Sequence, residues 1–224
     1  MKITKLKKTL GSFTLHLPHL EVSKPLIYGI IGPNACGKTT AMRLMAGLLK
    51  PDEGEIDYMG HSPRDVTMAF KKPYLMRDTV LANLKYPLSI RGIKPDEVCL
   101  DHYLELANLQ QYRERYAPSL SGGEQQKLSL IRALIFSPKV ILIDEGFSNM
   151  DLESVTVFEN YILNRQKENP VTWVIISHQL SNIKRLCDYA YFMYGGEIKA
   201  EGTVDELLKN PQEPNLQRYL QYNN

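Results

Sequence analysis

The stretch Gly32-Pro33-Asn34-Ala35-Cys36-Gly37-Lys38-Thr39-Thr40 constrains this chain more than any other. An apolar run, Leu26-Ile27-Tyr28-Gly29-Ile30-Ile31, leads into it. A helical pattern with Met42, Leu44, Met45, Leu48 and Leu49 apolar leads out. Strand, glycine-bearing loop and helix in that order form the setting of a phosphate-binding loop. Loop amides and the unpaired N–H groups of the first helical turn converge on an anion. Lys38 brings a mobile positive charge for β- and γ-phosphates, and Thr39 a hydroxyl for a magnesium ion. Gly32 and Gly37 permit backbone approaches that a side chain would block.

Two later stretches answer to that loop. Leu120-Ser121-Gly122-Gly123-Glu124-Gln125-Gln126 opens a helix expected to run to Phe136, with Ser121 and Glu124 spaced as a capping box. Paired glycines at a helix start also leave amides open to an anion at the positive dipole end. Lys139-Val140-Ile141-Leu142-Ile143-Asp144-Glu145 is a continuous apolar run closed by two acids. Such a run predicts a parallel strand buried on both faces. Ligands of open α/β sheets sit beyond the carboxyl ends of strands, so Asp144 falls where a magnesium ion would sit and Glu145 where a water could attack. Val171-Thr172-Trp173-Val174-Ile175-Ile176 predicts another core strand, ending in Ser177-His178 and placing His178 to touch phosphate.

The remaining segments predict an antiparallel start over 3–22, with His16 and His19 on a solvated face, and short strands at 55–58 and 66–70. From 79 to about 116 the periodicity is helical. Thr79 caps one helix, and a second begins near Pro95-Asp96-Glu97 with Val98, Leu100, Tyr103, Leu104 and Ala107 as its apolar stripe. A hairpin around Tyr194-Gly195-Gly196 and a capped helix from Thr203 to Lys209 follow. The expected domain is an α/β core over 1–70 and 138–210, a helical subdomain inserted over 71–137, and a polar tail over 211–224 too short to fold alone. Its 27 basic and 25 acidic residues give a net charge of +2, which does not point to a nucleic-acid binder. The start lacks an apolar signal core and no run approaches a membrane span, so a cytoplasmic chain is expected. Three scattered cysteines and five histidines form no metal-ligand pattern, so neither disulfide nor structural zinc is expected. Cys36, beside Lys38 and a helix start, is expected to be a reactive thiol that ligand bound in the phosphate loop protects.

The order of phosphate loop, LSGGE, Asp-Glu strand and His strand resembles the nucleotide-binding subunit of an ATP-binding cassette (ABC) transporter, over nearly the whole chain. The resemblance implies a P-loop NTPase fold of mainly parallel sheet with an antiparallel β subdomain and an inserted helical one. It implies ATP and Mg2+ as ligands and hydrolysis of ATP coupled to transport. Gly32 through Thr40 match Walker A, and Asp144 matches the Walker B acid on magnesium. Glu145 matches the general base, and His178 the switch histidine. Ser121, Gly122, Gly123 and Glu124 match the signature motif, which in the family contacts the γ-phosphate on the other subunit. Asp151 falls in the D-loop. A head-to-tail homodimer closing on two ATP molecules is implied. So are a transmembrane permease subunit that holds the chain on the inner face of the membrane and an extracytoplasmic solute-binding protein.

Several positions depart from the family pattern. Lys71 stands where Gln is usual in the loop that meets magnesium, water and the membrane partner. A cation there is expected to turn toward the γ-phosphate or into solvent. No aromatic residue matches the usual adenine stacker, Phe13 being the nearest ring. Ala35 replaces a glycine, a change read as sterically mild, and Gly146-Phe147 replaces Pro-Thr. The leading reading is the ATPase subunit of a prokaryotic importer, with Pro73 to Leu84, followed by Tyr86 to Gly92, most similar to tungstate-type oxyanion importers. Competing readings are an exporter subunit, a non-transport ABC ATPase, and a regulatory nucleotide-binding module that hydrolyses weakly because of Lys71.

Overall fold

A computed structural model describes residues 1–223. In chain order the elements are β1 (Lys2–Leu10), β2 (Phe13–Glu21), β3 (Ile27–Ile31), α1 (Lys38–Met45), β4 (Glu53–Asp57), β5 (Val66–Ala69), α2 (Val80–Ser89), α3 (Glu97–Leu106), α4 (Gly122–Leu134), β6 (Val140–Asp144), α5 (Leu152–Glu168), β7 (Thr172–Ile176), α6 (Leu180–Leu186), β8 (Tyr189–Tyr194), β9 (Glu197–Thr203), α7 (Val204–Lys209) and α8 (Pro214–Asn223). A small antiparallel sheet has the order β2-β1-β4, and a larger one the order β5-β6-β7-β3-β8-β9. All neighbours in the larger sheet are parallel except β8 and β9.

The apolar runs of β3, β6 and β7 are buried at every residue. Alternate side chains of a strand point to opposite faces, and here each face feeds a different core. Ile141, Ile143, Trp173 and Ile175 pack with α2, α3, α4 and α6. Val140, Leu142, Val174 and Ile176 pack with α1 and the β1–β2 hairpin. Leu128, Leu130 and Ile131 of α4 share the first core with the sheet, so residues 71–137 have no separate interior.

Four expectations need correction. The helix after the phosphate loop stops at Met45, and Leu48 is 58% exposed. Gly47 (φ 69°) donates to Leu44 O, and Leu48 donates to Arg43 O. This Schellman pair ends the helix five residues before the Pro51 turn would have. Val98 is 77% exposed, because it lies just inside the Asp96 cap on the solvent side of α3. The helix from the capping box ends at Leu134 rather than Phe136. The segment from Pro211 does not stay an unfolded tail: α8 docks through the buried Leu216 and Leu220, with Tyr219 against the Phe192 ring.

Candidate nucleotide site

Sheet register sets the site. Asp144 at the end of β6 lies opposite Ile176 of β7, which lies opposite Ile30 of β3. The phosphate loop, the Asp-Glu pair and Ser177-His178 therefore leave the sheet at one level. A cavity of about 460 Å³ opens there, lined by Phe13, Asn34, Lys38, Thr39, Lys71 and Glu145 among others.

The loop's glycines are required by space as well as by angle. A Cβ on Gly32 (φ 146°) would lie 2.1 Å from Met193 O, and one on Gly37 (φ 106°) 2.8 Å from Leu15 Cδ1. Ala35 adopts φ 58°, so its methyl is carried in a left-handed conformation that costs about 1 kcal/mol. The replacement read as mild is therefore strained through the backbone.

The Lys38 ammonium donates to Gly32 O and Pro33 O, both at 2.8 Å. Burial pushes its pKa down, against the pull of Cys36, Glu145 and Asp144. Cys36 is buried, and desolvation pushes its thiol up despite the ammonium 3.9 Å away. Burial thus outweighs the neighbouring charge and works against the expected thiolate.

Thr39 Oγ1 donates to Asp144 Oδ1 at 3.2 Å. Asp144 is almost fully buried, and burial pushes its carboxyl up, with the Thr39 bond opposing. A hard cation would supply the counter-charge this carboxylate lacks. One carboxylate and one hydroxyl beside a phosphate loop suit magnesium, which takes most other ligands from water and substrate phosphate. No group of three or more His, Cys, Asp or Glu able to hold a metal occurs among the described residues.

Glu145 has a left-handed backbone, φ 50°. Its amide donates to Ile176 O at 3.0 Å, and its carbonyl accepts from Ser148 N at 3.0 Å and Ser148 Oγ at 2.8 Å. His178 Nε2 lies 2.8 Å from Oε1, and Lys71 Nζ 2.8 Å from Oε2. Lys71 therefore borders the cavity with its side chain half-exposed and its ammonium paired with the Glu145 carboxylate.

Ser121 and Glu124 form the expected capping box, with Ser121 N donating to Glu124 Oε2 at 2.8 Å and Glu124 N to Ser121 Oγ at 3.3 Å. Ser121, Gly122, Gly123 and Glu124 do not line the cavity that holds Lys38. A Cβ on Gly123 would lie 2.8 Å from Asn149 O, so this glycine lets the loop after Glu145 close onto the start of α4. Asp151 caps α5, accepting from Ser154 N at 2.8 Å and Ser154 Oγ at 2.9 Å, and those bonds lower its pKa.

One contributor escaped the sequence, and a second was visible there only as the nearest ring. Gln126, buried on α4, donates to Phe70 O at 3.2 Å and so pins the strand end that leads into Lys71. Its place in the signature run was visible, its partner was not. Phe13 borders the cavity, with its ring beside Gly37. The alternating pattern fixed its strand but not its neighbour across the sheets.

A family model described as ABC transporter matches residues 15–148. The chain is 33% identical over 208 residues to the tungstate uptake ATP-binding protein of Peptoclostridium acidaminophilum, covering 89% of this chain and 97% of that protein. The chain belongs to the ABC transporter ATP-binding family. It is also 32% identical over 216 residues to a methionine import ATP-binding protein of Geobacillus kaustophilus, covering 90% of this chain but only 63% of that longer protein. A solved dimeric ATP-binding cassette in a post-hydrolysis state with ADP and Pi superimposes with a TM-score of 0.81 at 24% identity, over 91% of this chain and 98% of that one, showing the shared fold. As an ABC ATPase the chain binds ATP with Mg2+ and hydrolyses it.

Proposed function

We propose that this ABC ATPase powers an importer, with each motif acting as the resemblance implies. The carrying observation is the convergence of Lys38, Thr39, Asp144, Glu145 and His178 where β3, β6 and β7 end together. Gly32 through Thr40 wrap the phosphates, Asn34, Ala35, Cys36, Gly37 and Thr40 with backbone N–H groups and Gly32 and Pro33 by shaping the loop, and Lys38 exchanges its two carbonyl contacts for phosphate oxygens. Thr39 and Asp144 would hold magnesium, which would supply charge neutralisation for phosphoryl transfer. Glu145 orients the attacking water and takes its proton, and His178 steadies that carboxylate. Phe13 offers its ring toward the base.

Ser121, Gly122, Gly123 and Glu124 present their capped helix start to nucleotide on a second copy, and Asp151 lies in the loop that meets that copy. The resulting head-to-tail homodimer closes on ATP and reopens after hydrolysis. Among the described residues no helix is long and apolar enough to cross a membrane. Since the relatives serve import systems, membrane coupling falls to a permease, docked near exposed Tyr74 and Tyr86, which holds the chain at the inner face. A solute-binding protein completes the system. The tungstate and methionine relatives support import, and the first supports an oxyanion cargo.

Magnesium-dependent ATP turnover tests this. Glu145→Gln is expected to lower kcat by about 100-fold or more, the lower range for a general base. The same variant should bind ATP and elute as a dimer with it. A variant that turns over normally would refute the role of Glu145.

A further inference from the structure

Both oxygens of the proposed base are already engaged, Oε1 by His178 and Oε2 by Lys71, each at 2.8 Å. Its backbone is fixed through Ile176 and Ser148, so the carboxylate cannot swing away as a unit. Of the pair, the Glu145 side chain is 13% exposed and Lys71 58% exposed. Lys71 sits outside any helix or strand on a flexible stem. It is the member able to leave, and a half-exposed ion pair is weak enough to exchange.

The loop that carries Lys71 is strapped to α4. Gln126 holds Phe70 O, and Arg132 Nη2 donates to Tyr74 O at 2.5 Å. Arg132 also reaches Asn83 Oδ1 at 3.3 Å, and the same oxygen accepts from Met76 N at 2.8 Å. Any shift of α4, whose first residues are the signature motif, pulls on both flanks of Lys71.

We propose that Lys71 is a positioning residue that occupies the Glu145 oxygen needed by attacking water, and that turnover begins only when α4 and the Phe70-to-Met76 loop carry it off. A neutral amide at this position could donate to that oxygen but would not hold it by charge. The ammonium makes the resting subunit a quiet one, released by movement of the signature helix. This rests on the reading of Glu145 as the base.

The test joins a contact measurement to kinetics on the full chain. Carbodiimide coupling condenses an adjacent amine and carboxylate to an amide, and peptide mass spectrometry locates it. A Lys71–Glu145 linkage is expected without nucleotide, falling about three-fold or more with a non-hydrolysable ATP analogue and magnesium. Lys71→Gln is expected to raise kcat about three-fold or more, while Lys71→Arg, keeping the charge, is expected to show no such gain. Absence of the linkage, a linkage indifferent to the analogue, or a Lys71→Gln variant no faster than wild type overturns the proposal. So does a Lys71→Arg variant as fast as Lys71→Gln. An active Glu145→Gln variant removes the base reading and the proposal with it. Inactive Glu145→Gln beside an unaccelerated Lys71→Gln removes the proposal alone.

Discussion

Cys36 and Asp144 are both governed by desolvation rather than by nearby charge. Burial raises the Cys36 thiol against the pull of Lys38, so little thiolate exists at neutral pH. Iodoacetamide at pH 7.5 is expected to modify Cys36 in the folded chain about ten-fold more slowly, or less, than after unfolding in urea. Peptide mapping gives the two rates, and rapid labelling of the native chain would contradict the burial argument. Burial also raises Asp144 above the ordinary carboxylate range. The sign follows from proton linkage: the folded state binds this proton more tightly than the unfolded state. The stability this group contributes is fullest below the unfolded carboxylate pKa and is lost as pH rises through the folded value. At neutral pH the ionised form is therefore a burden on the nucleotide-free chain. Asp144→Asn, which keeps an acceptor for Thr39, is expected to raise Tm by about 3 °C, near 1 kcal/mol in a chain of this size. Turnover should collapse in the same variant, so a scanning-calorimetry gain with lost activity is the expected signature.

Elements were legible wherever one physical signal dominated. Unbroken apolar runs marked β3, β6 and β7, and the Ser121–Glu124 and Thr79 caps marked the starts of α4 and α2. The helices α5 and α6 gave no such signal. Phe158, Glu159 and Ile162 are the buried residues of α5, a stripe broken by a carboxylate. That carboxylate is buried because Arg185 of α6 meets it at 3.0 Å, a partnership invisible before folding. The final helix was hidden by polar composition, with Leu216 and Leu220 as its fully committed apolar residues. Leu216→Ala is expected to cost about 3 kcal/mol, within the range for a buried leucine. Urea denaturation of the full chain checks it; a loss below about 1 kcal/mol would show that α8 is not held by this contact. Within the proposed site, motif order pointed to the candidate residues, whereas the Lys71–Glu145 pair and the Gln126–Phe70 bond depend on side-chain reach across elements.

At the level of the whole molecule, one core reaches from α3 through α4 to the face of the large sheet that carries Trp173. Trp173 is the sole tryptophan, fully buried, and its Nε1 donates to Gln166 Oε1 at 3.1 Å. Its fluorescence therefore reports on the interior shared by sheet and helices. The urea transition seen by Trp173 is expected to coincide with that seen by far-UV circular dichroism, as a single cooperative unit requires. A separate early loss of helix would show that residues 71–137 unfold by themselves.

The β3–β7–β6 ladder has a further consequence. Since Ile30, Ile176 and Asp144 share one rung, the sheet works as a ruler that sets three chain segments to a common zero mark. A slip of one residue would not merely misplace a loop. It would send Trp173 into the interior built around α1 and bring Val174 to the face built for an indole. The mismatch in size between the two interiors thus proofreads the alignment of the phosphate loop, Asp144 and His178, so the accuracy of the reaction centre is guarded by residues that never meet the nucleotide.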